Sequence, residues 1–285
     1  MEKKTGKSLN QMPKEVIKIN GRVFKPYIWN LYNGHKTNDI DYYYSRMMDS
    51  GLKTEVLGEI DSFPIFLVQN DHEKGRPNIL IMGGVHGEEP AGSWGILNVM
   101  MKLKLMKIHV NLSFIPIFNP WGFSKGIRFN KQLKSINSGY FRTKSGKPEL
   151  TEEGKILNRN FIRICELAKN GFLSCHEDVE EKYFYIYEVI PDAKPDFICN
   201  ELQALGAHYF GKQPDGGVYT GTVIDGMVLN EKDGTIDDYL VNVGGIHRAI
   251  TTETPGMADI NKRVFVYEQL ITKFIELNNA GNFWR

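Results

Sequence analysis

Three cysteines in a chain of 285 residues are too few, and odd in number, for a disulfide framework. No two of Cys165, Cys175 and Cys199 form a CxxC knuckle, so a cysteine-held structural metal is excluded as well. This usage fits a reducing compartment, and the expected location is cytoplasmic. No stretch reaches the ~20 apolar residues that a membrane span needs. Residues 1–20 are Lys-rich and lack the apolar core of a secretory signal. Neither sign of charge is in excess: 35 Lys+Arg stand against 34 Asp+Glu, which leaves no field to draw nucleic acid or an anionic membrane. There is no GxGxxG or Walker sequence, no internal repeat and no low-complexity block.

What is there is a soluble-type composition, 41% hydrophobic, long enough to bury one large core. Residues 1–20 read as a loosely ordered extension and 21–285 as one domain. Asn38-Asp39 could cap a helix over 41–48 that Gly51 ends. Strand patterns follow at 53–58 and 63–68, with an Asp61-Ser62 turn between them. The continuous apolar run Asn78-Ile79-Leu80-Ile81-Met82 has the character of a strand buried on both faces. Pro90 then opens a helix on which Trp94, Leu97, Met101 and Leu105 recur, and a second buried strand covers 110–118. Strand, helix and strand make a crossover unit, so the fold class is α/β, with a mixed, mostly parallel central sheet between helices. Residues 121–160 read as a long loop. Further strands are expected at 171–175, 183–187 and 248–252. An amphipathic helix from Ile260 through Phe274 closes at Asn278-Asn279-Ala280-Gly281.

Chemistry concentrates first at His86-Gly87-Glu88-Glu89, just past the C-terminal end of a buried strand, where open α/β sheets place their sites. His86 and Glu89 are three apart, so a turn opening into a helix can aim both at one ion. An imidazole nitrogen and a carboxylate oxygen suit zinc, and a catalytic zinc needs a third protein ligand from elsewhere. Alone, the spacing also fits a helix-start carboxylate beside a capping histidine.

Gly83-Gly84-Val85-His86-Gly87-Glu88-Glu89-Pro90-Ala91-Gly92 resembles the first zinc motif of the zinc metallocarboxypeptidases, the carboxypeptidase A-like family. Further segments follow in that family's order. Asn119-Pro120-Trp121-Gly122 with Arg128-Phe129-Asn130 resembles the segment whose arginine polarises the scissile carbonyl, which implies that role for Arg128. Leu157-Asn158-Arg159-Asn160-Phe161 resembles the pair that grips a substrate carboxylate, implying Asn158 and Arg159 as the fork. Leu173-Ser174-Cys175-His176-Glu177-Asp178 is similar to the strand that delivers the last zinc histidine, so His176 is the implied third ligand. Thr251-Thr252-Glu253-Thr254-Pro255 resembles the segment with the catalytic glutamate, implying Glu253 as the base. Gly234-Thr235-Ile236-Asp237-Asp238-Tyr239 resembles the floor of the side-chain pocket, with Ile236 as the floor residue and against a pocket for Lys or Arg. The family's mobile tyrosine would fall near Leu229, and Tyr219 is the nearest upstream tyrosine.

The resemblance implies one Zn2+ on His86, Glu89 and His176 and hydrolysis of an amide bond next to a free carboxylate, by water held at the metal and activated by Glu253. The implied partner is a peptide or an N-acyl amino acid, with no nucleic acid and no membrane. Three other readings stay open: an N-acyl-amino-acid deacylase of the succinylglutamate desuccinylase/aspartoacylase type, a cell-wall peptide amidase, and a zinc-binding protein without activity.

Overall fold

The computed structural model describes residues 16–140, 149–191, 196–230 and 232–279. Order begins inside the segment expected to be loose. Strand β1 (Ile17–Ile19) pairs antiparallel with β2 (Arg22–Phe24) about an Asn20-Gly21 turn of positive φ, while residues 1–15 lie outside the described part. Helix α1 (Ile40–Asp49) starts where Asp39 accepts a hydrogen bond from the Tyr42 amide, and Gly51 stands just past its end.

Strands β3 (Lys53–Ile60) and β4 (Phe63–Gln69) form the expected hairpin, with both turn residues, Asp61 and Ser62, at positive φ. The crossover unit is β5 (Asn78–Gly83), α2 (Pro90–Lys102) and β6 (Asn111–Ile115). The expected loop at 121–160 contains two helices, α3 (Pro120–Lys125) and α4 (Glu152–Arg159); the remainder of it at 141–148 lies outside the described residues. Their capping side chains, Asn119 and Thr151, were the readable signals for both.

Helix α5 (Phe161–Leu167) leads into β7 (Gly171–Asp178), then β8 (Tyr185–Val189) and α6 (Phe197–Phe210). The apolar residues of α6 are spread around the helix, so no stripe marks it in the sequence. A small hairpin of β9 (Gly216–Gly217) and β10 (Thr222–Val223) precedes β11 (Met227–Leu229), α7 (Ile236–Asn242), β12 (Ala249–Pro255) and α8 (Ile260–Asn279). The expected closing Ala280-Gly281 lies outside the described residues.

The main sheet has eight strands in the order β11-β8-β12-β7-β5-β6-β4-β3. The pairs β11–β8, β12–β7, β7–β5 and β5–β6 are parallel and the rest antiparallel, the mixed and mostly parallel arrangement expected. Alternation sorts its side chains into two cores. Ile79, Ile81, Phe114, Leu173 and Ile250 face the layer of α1, α2, α6 and α8, and Leu80, Met82, Phe172 and Ala249 face α4, α5 and α7. By the same count His176 and Glu253 share the second face, and Glu177 the first. Among the described residues no helix is long and apolar enough to cross a membrane.

Candidate active site

The end of β5 shows why glycine is needed there. Gly84 sits at φ 59, and a Cβ on it would meet Ser93 Oγ at 2.9 Å. A Cβ on Gly87 would stand 2.0 Å from the Gly122 carbonyl carbon, so only glycine lets this turn press against α3. The tight turn brings His86 back over Glu89, the residue that precedes α2, with Pro90 at the first helical position.

His86 Nδ1 lies 2.7 Å from Glu89 Oε1, His176 Nδ1 2.8 Å from Glu89 Oε2, and the two ring nitrogens are 3.3 Å apart. All three side chains are buried. Burial holds His86 down at about 4, so its ring is neutral and Nδ1 can offer a lone pair. Burial alone would push the Glu89 carboxyl up, but the two imidazoles against it prevail and keep it well below the usual carboxylate range. These three are the cluster of His, Cys, Asp and Glu that could hold a metal among the described residues. Two neutral nitrogens and a carboxylate fit zinc in kind, and a tetrahedron with Zn–N arms of about 2.0 Å has an edge of roughly 3.3 Å, the separation of the two nitrogens.

Strand register brings in the fourth group. Glu253 on β12 pairs with His176 on β7 and with Tyr185 on β8, so it stands beside the third ligand on the same face. It is half-buried, and burial, with Glu89 and Asp178 near it, pushes its carboxyl well above the ordinary range. Arg128, on the loop after α3, puts Nη1 3.1 Å from Glu89 Oε1 and 3.5 Å from Glu88 Oε1. Glu88, which the motif reading passed over, faces the same space, and burial beside Glu89 lifts it to about 7.

His86, Glu89, His176, Arg128 and Glu253 line one cavity of about 530 Å³. Tyr219, near the tip of the β9–β10 hairpin, enters it with its ring 5.7 Å from the Arg128 guanidinium carbon. Asn137, Ser138, Asp233 and Asp237 line it too and belong to no motif read as substrate-binding from the sequence.

Three residues expected at the site are elsewhere. Helix α4 buries Glu153, Ile156 and Leu157, which leaves Asn158 and Arg159 exposed on its outer side, and Asn158 Oδ1 accepts from the Tyr239 hydroxyl at 3.0 Å. Neither lines the cavity. Ile236 is turned into the core under α7 instead of forming a floor, and its neighbour Asp237 faces the cavity.

On the opposite face the site is braced from behind. Glu177 accepts from the Ala91 amide at 2.7 Å and forms a fully buried ion pair with Arg263, whose guanidinium lies over the Trp29 ring at 4.3 Å. The Glu177 amide itself donates to Glu89 Oε2 at 3.2 Å, and the Tyr267 hydroxyl reaches the carbonyl oxygens of His176 and Thr252.

Residues 75–168 match the model of the succinylglutamate desuccinylase/aspartoacylase catalytic domain. The crystal structure of a candidate metallopeptidase from Shewanella denitrificans is 32% identical, covers 90% of this chain and is itself covered over 97%, with a TM-score of 0.81. One from Shewanella amazonensis is also 32% identical, with 88% and 98% covered and a TM-score of 0.82. A metallo-carboxypeptidase from Burkholderia cenocepacia has the same fold at 14% identity, with 94% of this chain and 77% of its own covered and a TM-score of 0.60. No curated protein matches the chain.

Proposed function

Because the chain belongs to the zinc metallocarboxypeptidase family, in the group that holds the succinylglutamate desuccinylase/aspartoacylase catalytic domain, we propose that it is a zinc hydrolase that cleaves an amide bond with Glu253 as its base. One observation carries this reading: the register of β12 against β7 sets Glu253 beside His176, on the face that also holds His86, Glu89 and Arg128.

Zinc held by His86, Glu89 and His176 supplies, when bound, a Lewis acid that polarises the amide carbonyl and makes water more acidic. Glu253 accepts the proton of the attacking water and returns it to the leaving nitrogen, a role favoured by its place in a partly closed cavity. Arg128 offers guanidinium donors to the oxyanion as charge develops there, and its contacts with Glu88 and Glu89 hold it in position. The Tyr219 ring covers the outer side of that guanidinium. Neutral imidazole at His86 is the form that binds a metal, which favours loading near neutral pH.

The match over residues 75–168 favours a second substrate class, N-acyl amino acids, cut by the same residues. The test is turnover of blocked dipeptides, N-acyl amino acids and γ-linked muropeptides by protein stripped with a chelator and then reloaded with one zinc equivalent. Turnover of at least one class, lost on stripping and restored on reloading, is expected. A fully loaded protein that cleaves none of them would overturn the reading.

A further inference from the structure

We propose that the cavity carries, apart from the metal ligands and the base, a subsite on Asp233 and Asp237 for a cationic group of the substrate, a primary ammonium or a guanidinium. The proposal rests on the hydrolase reading for its location, since it names the substrate class of that same cavity.

Asp237 carries the argument. It is only 7% exposed, it lines the cavity, and among the described residues its carboxylate has neither a hydrogen bond nor an ion pair. A buried carboxylate without a partner is costly, so something that enters the cavity should complete it. Its neighbour Asp238 shows the contrast. Asp238 accepts from the Gly234 amide and from the Asn242 side chain, so it serves the turn and helix α7. Asp237 points the other way.

Asp233 adds the second carboxylate. One oxygen, Oδ1, accepts from the Thr235 amide at 3.1 Å, and among the described residues no basic group pairs with the carboxylate. Burial, with Asp237 next, lifts Asp233 to about 6, as expected of two acids that share one space without a cation between them. The neutral groups beside them, Asn137, Ser138 and Thr235, add polar atoms and no positive charge. Arg128 is the one Lys or Arg side chain that lines the cavity among the described residues, and it is engaged with Glu88 and Glu89.

The expectation of an apolar floor at Ile236 is thereby reversed. Ile236 packs into the core, and the adjacent position presents a charge suited to an alkylammonium or guanidinium chain.

The experiment compares benzoylglycyl-lysine, benzoylglycyl-arginine, benzoylglycyl-norleucine and benzoylglycyl-glutamate. Their binding is measured by calorimetry to zinc-loaded full-length E253Q protein and to the same protein carrying D237N, with turnover by the wild type run in parallel. Lysine and arginine peptides should bind about tenfold or more tightly than norleucine, and D237N should bring that ratio close to one. Norleucine or glutamate binding as well as lysine in the E253Q protein, or a ratio that D237N leaves unchanged, would overturn the subsite. Because binding is read without cleavage, a wild type that turns over none of the four while the ratio holds defeats the hydrolase reading and leaves the cation subsite standing.

Discussion

At the end of β7 two consecutive residues face opposite ways and meet opposite fates. On one face His176 joins His86 around Glu89, a buried carboxylate whose closest partners are neutral rings and a half-buried arginine. On the other, Glu177 has an arginine of its own, fully buried with it, and an amide at the start of α2. Burial pushes the Glu177 carboxyl up and Arg263 pulls it part of the way back. The difference separates two uses of a buried charge. Where the chain supplies the counter-charge, the group is a fastener. Where it supplies converging lone pairs, the group is a receptor for a cation from outside.

That contrast can be broken in several places. The largest effect belongs to the open face: E253Q should lower kcat by about a thousandfold while zinc content and melting temperature stay as in the wild type. An active E253Q protein, measured at equal zinc content, would remove the base. On the closed face the cost should fall on stability. R263M strands Glu177 and should lose about 3–5 kcal/mol in denaturant titration, whereas the double change E177L/R263M should recover most of it, because two apolar groups need no counter-charge.

The brace that joins the faces comes next. Y267F removes the hydroxyl at the His176 carbonyl and should weaken zinc binding by about tenfold in a competition titration, with a small change in fold stability. A smaller effect follows from pH. Asp233 is held at about 6 against its ordinary 3.8, so it is neutral below that point and charged above it. The preference for a lysine peptide over a norleucine peptide should therefore grow several-fold between pH 5 and 7. The stability term has the reverse sense: the folded protein binds this proton more tightly than the unfolded chain, so the site costs stability as pH rises from about 4 through 6. The smallest effect is at the surface, where E55Q breaks an exposed pair with Arg163 and should cost under about 1 kcal/mol in the same denaturant titration.

How far the molecule was legible depended on what each feature needed. The β3–β4 hairpin, the β5–α2–β6 unit and the mixed sheet follow from alternation, an unbroken apolar run and glycine at turns, which are local signals. Helix α6 had no stripe to read, and α4 hid in a polar stretch with its cap as the main sign. The ordered motifs around His86, Arg128, His176 and Glu253 could be read because each sits at an element end. Asn158 and Arg159 could not be placed the same way, because spacing does not say which side of a helix its packing residues will claim. The same holds for Ile236 and Asp237, adjacent in the chain and separated by the wall of the core. Tyr219 is brought in by a hairpin whose strands are two residues each, too short for any periodicity.

The pairing of Glu253 with His176 also sets how this chain can change length. One residue added between α7 and β12 would shift that strand by a step and turn Thr252 or Thr254 toward the cavity, with the acid sent to the side of Glu177. A residue added at the tip of the β9–β10 hairpin would only lengthen a rim. Natural variation in loop length should therefore collect around Tyr219 and be nearly absent from the short connection at 243–248, where two glycines turn the chain.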